Sequence, residues 1–82
     1  MRLMVTNPEY RRLFDRRIEV KTEIISVREM EKKLFSIFER TGTDEDKTRV
    51  KAFYARRVEL IREEIYLNRQ ITAIETGTAA EA

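Results

Sequence analysis

Charged side chains supply nearly all of the chemistry that this sequence offers, because it contains no His and no Cys. It therefore lacks an imidazole base, a thiolate nucleophile and the His/Cys ligands of a zinc site. Paired carboxylates, such as Glu63 with Glu64 or Glu29 with Glu31, lack the Glu-x-x-His companion that helical di-metal sites use. We expect a protein that is not an enzyme and that holds neither a metal nor a cofactor.

Two arginines and two glutamates stand where the apolar pattern calls for hydrophobic side chains. If two helices form an antiparallel hairpin that turns near Gly42, the numbers of facing residues sum to roughly 84. This sum brings Arg17 near Glu64 and Glu31 near Arg57. Opposite charges at these positions predict buried polar layers, which fix register and partner number more than they add stability. In a weaker alternative, Arg17, Arg28 and Arg57 line a cavity for a small anion.

The stretch 47–57 contains five positive charges and no acid. Such a cluster can contact the phosphates of RNA or DNA. Elsewhere acids and bases alternate and the net charge is only +2, so an ordinary solvated helix surface is the simpler interpretation. The candidate nucleic-acid contacts are Lys47, Arg49, Lys51 and Arg56.

Two long helices must position these residues, since Gly and Pro occur only near their expected ends. Asn7 before Pro8 is typical of a helix start, and Gly42 is suited to the left-handed residue that ends a helix. Thr43 can cap a second helix whose first turn is acidic, and Gly77 ends that helix. The prediction is an N-terminal arm over 1–7, a helical hairpin over 8–77 (helix 8–40, turn 41–43, helix 44–76) and a flexible tail over 78–82.

Apolar residues recur in steps of three and four along both helices, as in left-handed supercoiled helices. The fold class is therefore all-α, an antiparallel two-helix hairpin of the coiled-coil type. The seam of the first helix comprises Tyr10, Leu13, Arg17, Val20, Ile24, Val27, Glu31, Leu34 and Phe38, and that of the second comprises Val50, Phe53, Arg57, Leu60, Glu64, Leu67, Ile71 and Ile74.

Each seam is flanked by further apolar residues, namely Phe14, Ile18, Ile25 and Phe35 on the first helix and Tyr54, Val58, Ile61 and Ile65 on the second. Two helices that touch along one line leave such flanks in water, so we expect a second hairpin to cover them in a dimeric four-helix bundle. The residues expected in the core or interface are Leu13, Phe14, Ile18, Val20, Ile24, Val27, Leu34, Phe38, Phe53, Leu60, Ile61, Ile65, Leu67 and Ile71.

A short internal similarity links the two helices at a spacing of 40 residues. The segments 14–20 and 54–60 share the pattern aromatic, any residue, Arg, Arg, aliphatic, Glu, aliphatic. The similarity continues through Glu23 with Glu63 and Ile25 with Ile65. Either one helix was duplicated, or two helix surfaces converged on one pattern.

We therefore expect an oligomerisation or interaction module with a structural, adaptor or regulatory role, whose partner is a second copy or another helical protein. Nucleic-acid binding by a helical-hairpin dimer is the alternative. No apolar run approaches the ~18 residues that span a bilayer, and the first six residues lack the apolar stretch of a secretory signal. A cytoplasmic location without membrane contact is expected. The excess of Arg over Lys is compatible with a thermophilic source.

Overall fold

The computed structural model describes residues 7–77, which form two long α-helices packed against each other. Helix α1 runs Pro8–Thr41 and helix α2 runs Asp44–Glu75. Because only Gly42 and Thr43 separate them, the helices pack antiparallel as a hairpin. The all-α hairpin is confirmed over these residues, and its helix ends fall within one residue of those expected. The predicted tail 78–82 and all of the predicted arm except Asn7 lie outside the described residues.

Local capping explains where α1 begins and ends. The side chain of Asn7 accepts a hydrogen bond from the backbone N–H of Tyr10 at 3.1 Å, and Pro8 occupies the first helical position. At the other end Gly42 has φ 62°, a left-handed conformation that a side chain disfavours. Its N–H donates to the carbonyl oxygen of Phe38 at 2.7 Å, which satisfies one of the terminal carbonyls.

A buried carboxylate joins the two helices at the turn. Asp46 lies in the first turn of α2 and is only 8% exposed. Its Oδ2 accepts hydrogen bonds from the hydroxyls of Thr41 and Thr43, while the Thr43 hydroxyl in turn accepts from the Asp46 N–H at 3.2 Å. This reciprocal cap differs from the usual capping box, in which the acid accepts from the backbone N–H of the cap residue. These hydrogen bonds hold the pKa of Asp46 below its usual range, and nearby Arg49 lowers it further.

We expect the substitution Asp46→Asn to flatten the acid side of the stability–pH profile. Since folding lowers the pKa of Asp46, its ionised form stabilises the fold fully above the ordinary value near 4. That contribution is lost as the pH falls through the lowered folded pKa. Thermal melts between about pH 7 and pH 2 should show a shallower decline for Asp46→Asn than for the wild type. Asp44→Asn, an exposed acid of the same turn, is the control and should keep the wild-type decline; two identical profiles for Asp46→Asn and wild type would contradict this role.

The core lies along the seam between α1 and α2. Val20 and Leu60 are fully buried at its centre. They pack with Ile24, Val27 and Leu67, and partly buried Leu13, Phe53 and Ile61 lie against this cluster.

Tyr10 closes the open end of the hairpin. It belongs to the predicted seam but was not among the residues expected in the core or interface. Tyr10 is 8% exposed, and its hydroxyl donates to Glu75 Oε2 at 2.9 Å. This hydrogen bond to a carboxylate raises the pKa of Tyr10. Ile71 is also buried. Two residues of the expected core or interface, Ile18 and Ile65, are about half exposed in the single hairpin and belong to its surface.

Candidate functional site

The two long sides of the hairpin differ sharply in chemistry. Residues one position before a seam residue lie on one side, because each residue turns the helix by about 100°. On this charged side two ion pairs bridge the helices. Arg16 holds Glu63 with two hydrogen bonds, of 2.7 Å from Nε and 2.9 Å from Nη2. Arg56 holds Glu23, with 3.1 Å between Arg56 Nε and Glu23 Oε2.

Of the four residues in these bridging pairs, only Arg56 was a candidate site residue on the sequence alone. The bidentate contact with Arg16 lowers the pKa of Glu63, and Glu63 in turn raises that of Arg16. Arg56, a candidate phosphate contact, is instead held by Glu23 of the facing helix. The signal for both pairs lay in the sequence, since flanking residues of antiparallel helices meet across the seam.

The opposite side of the hairpin carries five of the seven exposed large apolar side chains found in residues 7–77. Residues one position after a seam residue lie here on both helices, and antiparallel packing brings the two flanks together. We call this surface the apolar face and define it by eight residues. They are Phe14, Ile18, Ile25 and Phe35 of α1 and Tyr54, Val58, Ile61 and Ile65 of α2.

Five of these eight side chains are largely open to solvent: Ile25 (61% exposed), Tyr54 (54%), Ile18 (53%), Phe35 (49%) and Ile65 (47%). Single exposed hydrophobic residues are normal, whereas several large ones grouped on one side of a hairpin are typical of interaction surfaces. Two other exposed large apolar residues, Met30 and Tyr66, precede seam residues and lie on the charged side.

A shallow groove at the centre of the apolar face contains charges among isoleucines. It is lined by Lys21, Ile24, Ile25, Arg28, Ile61 and Glu64. Over residues 7–77, none of the three charged side chains in this groove forms an ion pair. The groove therefore contains two cations and one carboxylate that are available to a binding partner.

One of the two expected polar layers forms as an ion pair across the seam. Arg57 Nε lies 2.9 Å from Glu31 Oε1, and the two side chains are 22% and 17% exposed. The Arg57 guanidinium also lies 5.2 Å from the ring centroid of Tyr54, on the apolar face. The pair is thus half-buried in the single hairpin rather than enclosed.

The other expected layer, Arg17 with Glu64, requires correction. Arg17 donates to Asn68 Oδ1 at 3.0 Å, and its guanidinium lies 4.7 Å from the ring centroid of Phe14. The physical reason is register, since Asn68 lies level with Arg17 and Glu64 lies one helical turn away. Glu64 is consequently left in the groove of the apolar face.

Equivalent contacts recur in the hairpin at the 40-residue spacing seen in the sequence. Adding 40 to the number of Arg16 and subtracting 40 from that of Glu63 gives Arg56 and Glu23, which form the other bridging ion pair of the charged side. The same offset relates the two arginine–ring contacts. The two helices are therefore arranged about an approximate twofold axis perpendicular to them. The related contacts are Arg16–Glu63 with Arg56–Glu23, and Phe14–Arg17 with Tyr54–Arg57.

The basic stretch 47–57 is largely neutralised by neighbouring acids. Arg49 lies 2.9 Å from Glu45 and 3.5 Å from Asp46, while Arg56 and Arg57 are held by carboxylates of α1. Lys47 and Lys51 are exposed, and within residues 7–77 neither forms an ion pair. Two lysines are a weak footprint for a phosphate backbone, because affinity for nucleic acid grows with the number of phosphates neutralised.

The three arginines of the small-anion alternative do not line one cavity. Arg28 lines the central groove, whereas Arg57 is neutralised by Glu31 and Arg17 contacts Asn68. Over the described part of the chain, no three acidic side chains converge where a metal ion could bind. Neither α1 nor α2, the two helices described, is both long and apolar enough to cross a bilayer.

Comparison of the chain with protein-family models, with curated proteins and with solved structures finds no match in any of the three. Its function must therefore be inferred from its own surface, of which the apolar face is the most distinctive part.

Proposed function

We propose that this protein is a non-enzymatic helical interaction module whose apolar face associates with a second copy of the chain in a four-helix bundle. The observation that carries the proposal is the exposure of five large apolar side chains on one side of the hairpin. On the other side, two interhelical ion pairs already cover the seam. A structural, adaptor or regulatory role is the kind of work that such a module performs.

The size of the apolar face suits a stable dimer. Helices of 32 and 34 residues are about 50 Å long, and two side by side are about 20 Å wide. This whole side of the hairpin therefore measures about 1,000 Å², with the apolar face in its central part, against about 800 Å² per partner in a standard interface. At about 25 cal/mol per Å² of apolar surface, covering five exposed side chains gains several kcal/mol before the cost of association.

The half-buried Arg57–Glu31 pair also fits this arrangement. Both side chains still reach solvent beside the apolar face, so a covering hairpin would remove them from water. They already hold each other at 2.9 Å, which leaves neither charge unpaired on burial. A polar layer of this kind favours one defined packing over several similar ones.

The test is the mass of the protein in solution. We expect light scattering after gel filtration at about 10 µM to give twice the chain mass of 9.8 kDa. The melting temperature should also rise with protein concentration, because association stabilises only the folded chains. A mass of one chain at this concentration, together with a melting temperature that does not depend on concentration, would overturn the proposal.

A further inference from the structure

The apolar residues alone do not decide which way a second hairpin lies. Because of the 40-residue repeat, α1 and α2 present similar apolar side chains to a partner. Ile18 corresponds to Val58, and Ile25 corresponds to Ile65. A partner whose turn lies at the same end therefore buries much the same apolar surface as one whose turn lies at the opposite end.

The charges of the central groove break this equivalence. Lys21 of α1 corresponds to Ile61 of α2, and Glu64 of α2 corresponds to Ile24 of α1. All four residues line the same groove. The two orientations thus differ mainly in what Lys21 and Glu64 meet on the partner.

The register of the hairpin determines which partner residues lie opposite Lys21 and Glu64 when both turns lie at the same end. A twofold axis parallel to the helices then places α1 on the partner's α2 and keeps every residue at its own level. Tyr10 bonds Glu75 and Arg17 bonds Asn68, so residues whose numbers sum to about 85 are level. Lys21 is then level with the partner's Glu64.

The reversed orientation gives the same charges no oppositely charged partner on the second copy. With the turns at opposite ends, α1 lies on the partner's α1. The 40-residue offset between the two helices then determines which residues of the two copies are level. Lys21 is then level with the partner's Ile24, while Glu64 is level with the partner's Ile61. Burying an unpaired charge against isoleucine is costly, whereas an ion pair in the same place offsets much of its desolvation.

We propose that the second copy packs with its turn at the same end and that Lys21 pairs with the partner's Glu64. This inference rests on the proposed self-association and adds its orientation and its specificity contact. The twofold axis repeats the pair, so each dimer contains two of them.

Reversing the two charges separately and then mixing the variants tests the contact. In Lys21→Glu two carboxylates meet at each of the two pairs, and in Glu64→Lys two ammonium groups do. Each variant alone should dimerise at least about ten-fold more weakly than the wild type. An equimolar mixture should recover most of the wild-type affinity in sedimentation equilibrium, because each chain then meets the opposite charge on the other.

Mixing separates this contact between chains from effects within one chain. In the mixture each variant still carries like charges at positions 21 and 64 of its own chain, so only a contact between chains can restore the affinity. The matched controls are Lys33→Glu and Glu29→Lys, which make the same charge changes at exposed positions outside the apolar face. They should dimerise as the wild type does, alone or mixed. Variants at Lys21 and Glu64 that dimerise normally alone, or that gain nothing on mixing, would overturn the proposed pair.

A distance measurement tests the orientation independently. The chain has no Cys, so Thr48→Cys carries a single spin label close to the turn. Turns at the same end keep the two labels of a dimer within the bundle width, about 20–30 Å, whereas reversed turns separate them by more than about 40 Å. A long distance in a dimeric protein overturns the orientation alone, while a monomeric wild type overturns the proposed function as well.

Discussion

Replacing Leu60 with Ala is expected to lower the free energy of unfolding by about 2–5 kcal/mol. Leu60 is fully buried at the centre of the seam, where it packs with Val20 and Leu67. The substitution removes three carbon atoms from a close-packed site that two helices can refill only in part. Since small domains are stabilised by only about 5–15 kcal/mol in total, a large share of the stability would be lost.

Urea unfolding followed by circular dichroism measures this loss, at one fixed protein concentration for all variants. Tyr66→Ala is the control, because Tyr66 lies on the charged side of α2, directly before Leu67, and is 58% exposed. We expect that substitution to change the free energy by less than about 1 kcal/mol. Equal losses for the two variants would show that the seam around Leu60 is not the core of the fold.

The substitution Ile25→Glu is expected to convert the proposed dimer into a folded monomer. Ile25 lies in the central groove and is 61% exposed in the single hairpin, so a longer polar side chain costs the isolated hairpin little. The new carboxylate can also pair along α1 with Lys21 and Arg28, four residues before and three after it. In the dimer, by contrast, two carboxylates would replace two buried isoleucines.

We expect the dissociation constant to rise more than about 100-fold, with helical circular dichroism largely retained. Light scattering at about 10 µM should then report one chain. Tyr66→Glu, a change at a similarly exposed residue on the charged side, should leave the mass unchanged. If Ile25→Glu stays dimeric, the apolar face is not the interface.

The helix ends were predictable because their causes are local. Asn7, Gly42 and Thr43 act within three or four residues of their own positions, so caps and turn chemistry can be read directly from the chain. The seam was predictable for a related reason, since steps of three and four place side chains on one stripe of any helix. Val20, Ile24, Leu60 and Leu67 are buried as that stripe requires.

The partners of the polar residues were harder to predict. A shift of one turn between the helices exchanges Asn68 for Glu64 as the neighbour of Arg17. The burial of Asp46 likewise depends on how the end of α1 approaches the start of α2, because Thr41 must reach its carboxylate. No local pattern encodes either distance.

Periodicity and caps were therefore sufficient to establish two helices, their antiparallel packing and a stripe too wide for one hairpin. The exposure of each flanking side chain and the partners of the polar residues needed the packed structure. Both depend on the rotation and sliding of one helix against the other, which the sum of many weak contacts between distant residues decides. The same register leaves Lys21 and Glu64 in an exposed groove among isoleucines, where the proposed second copy would pair them.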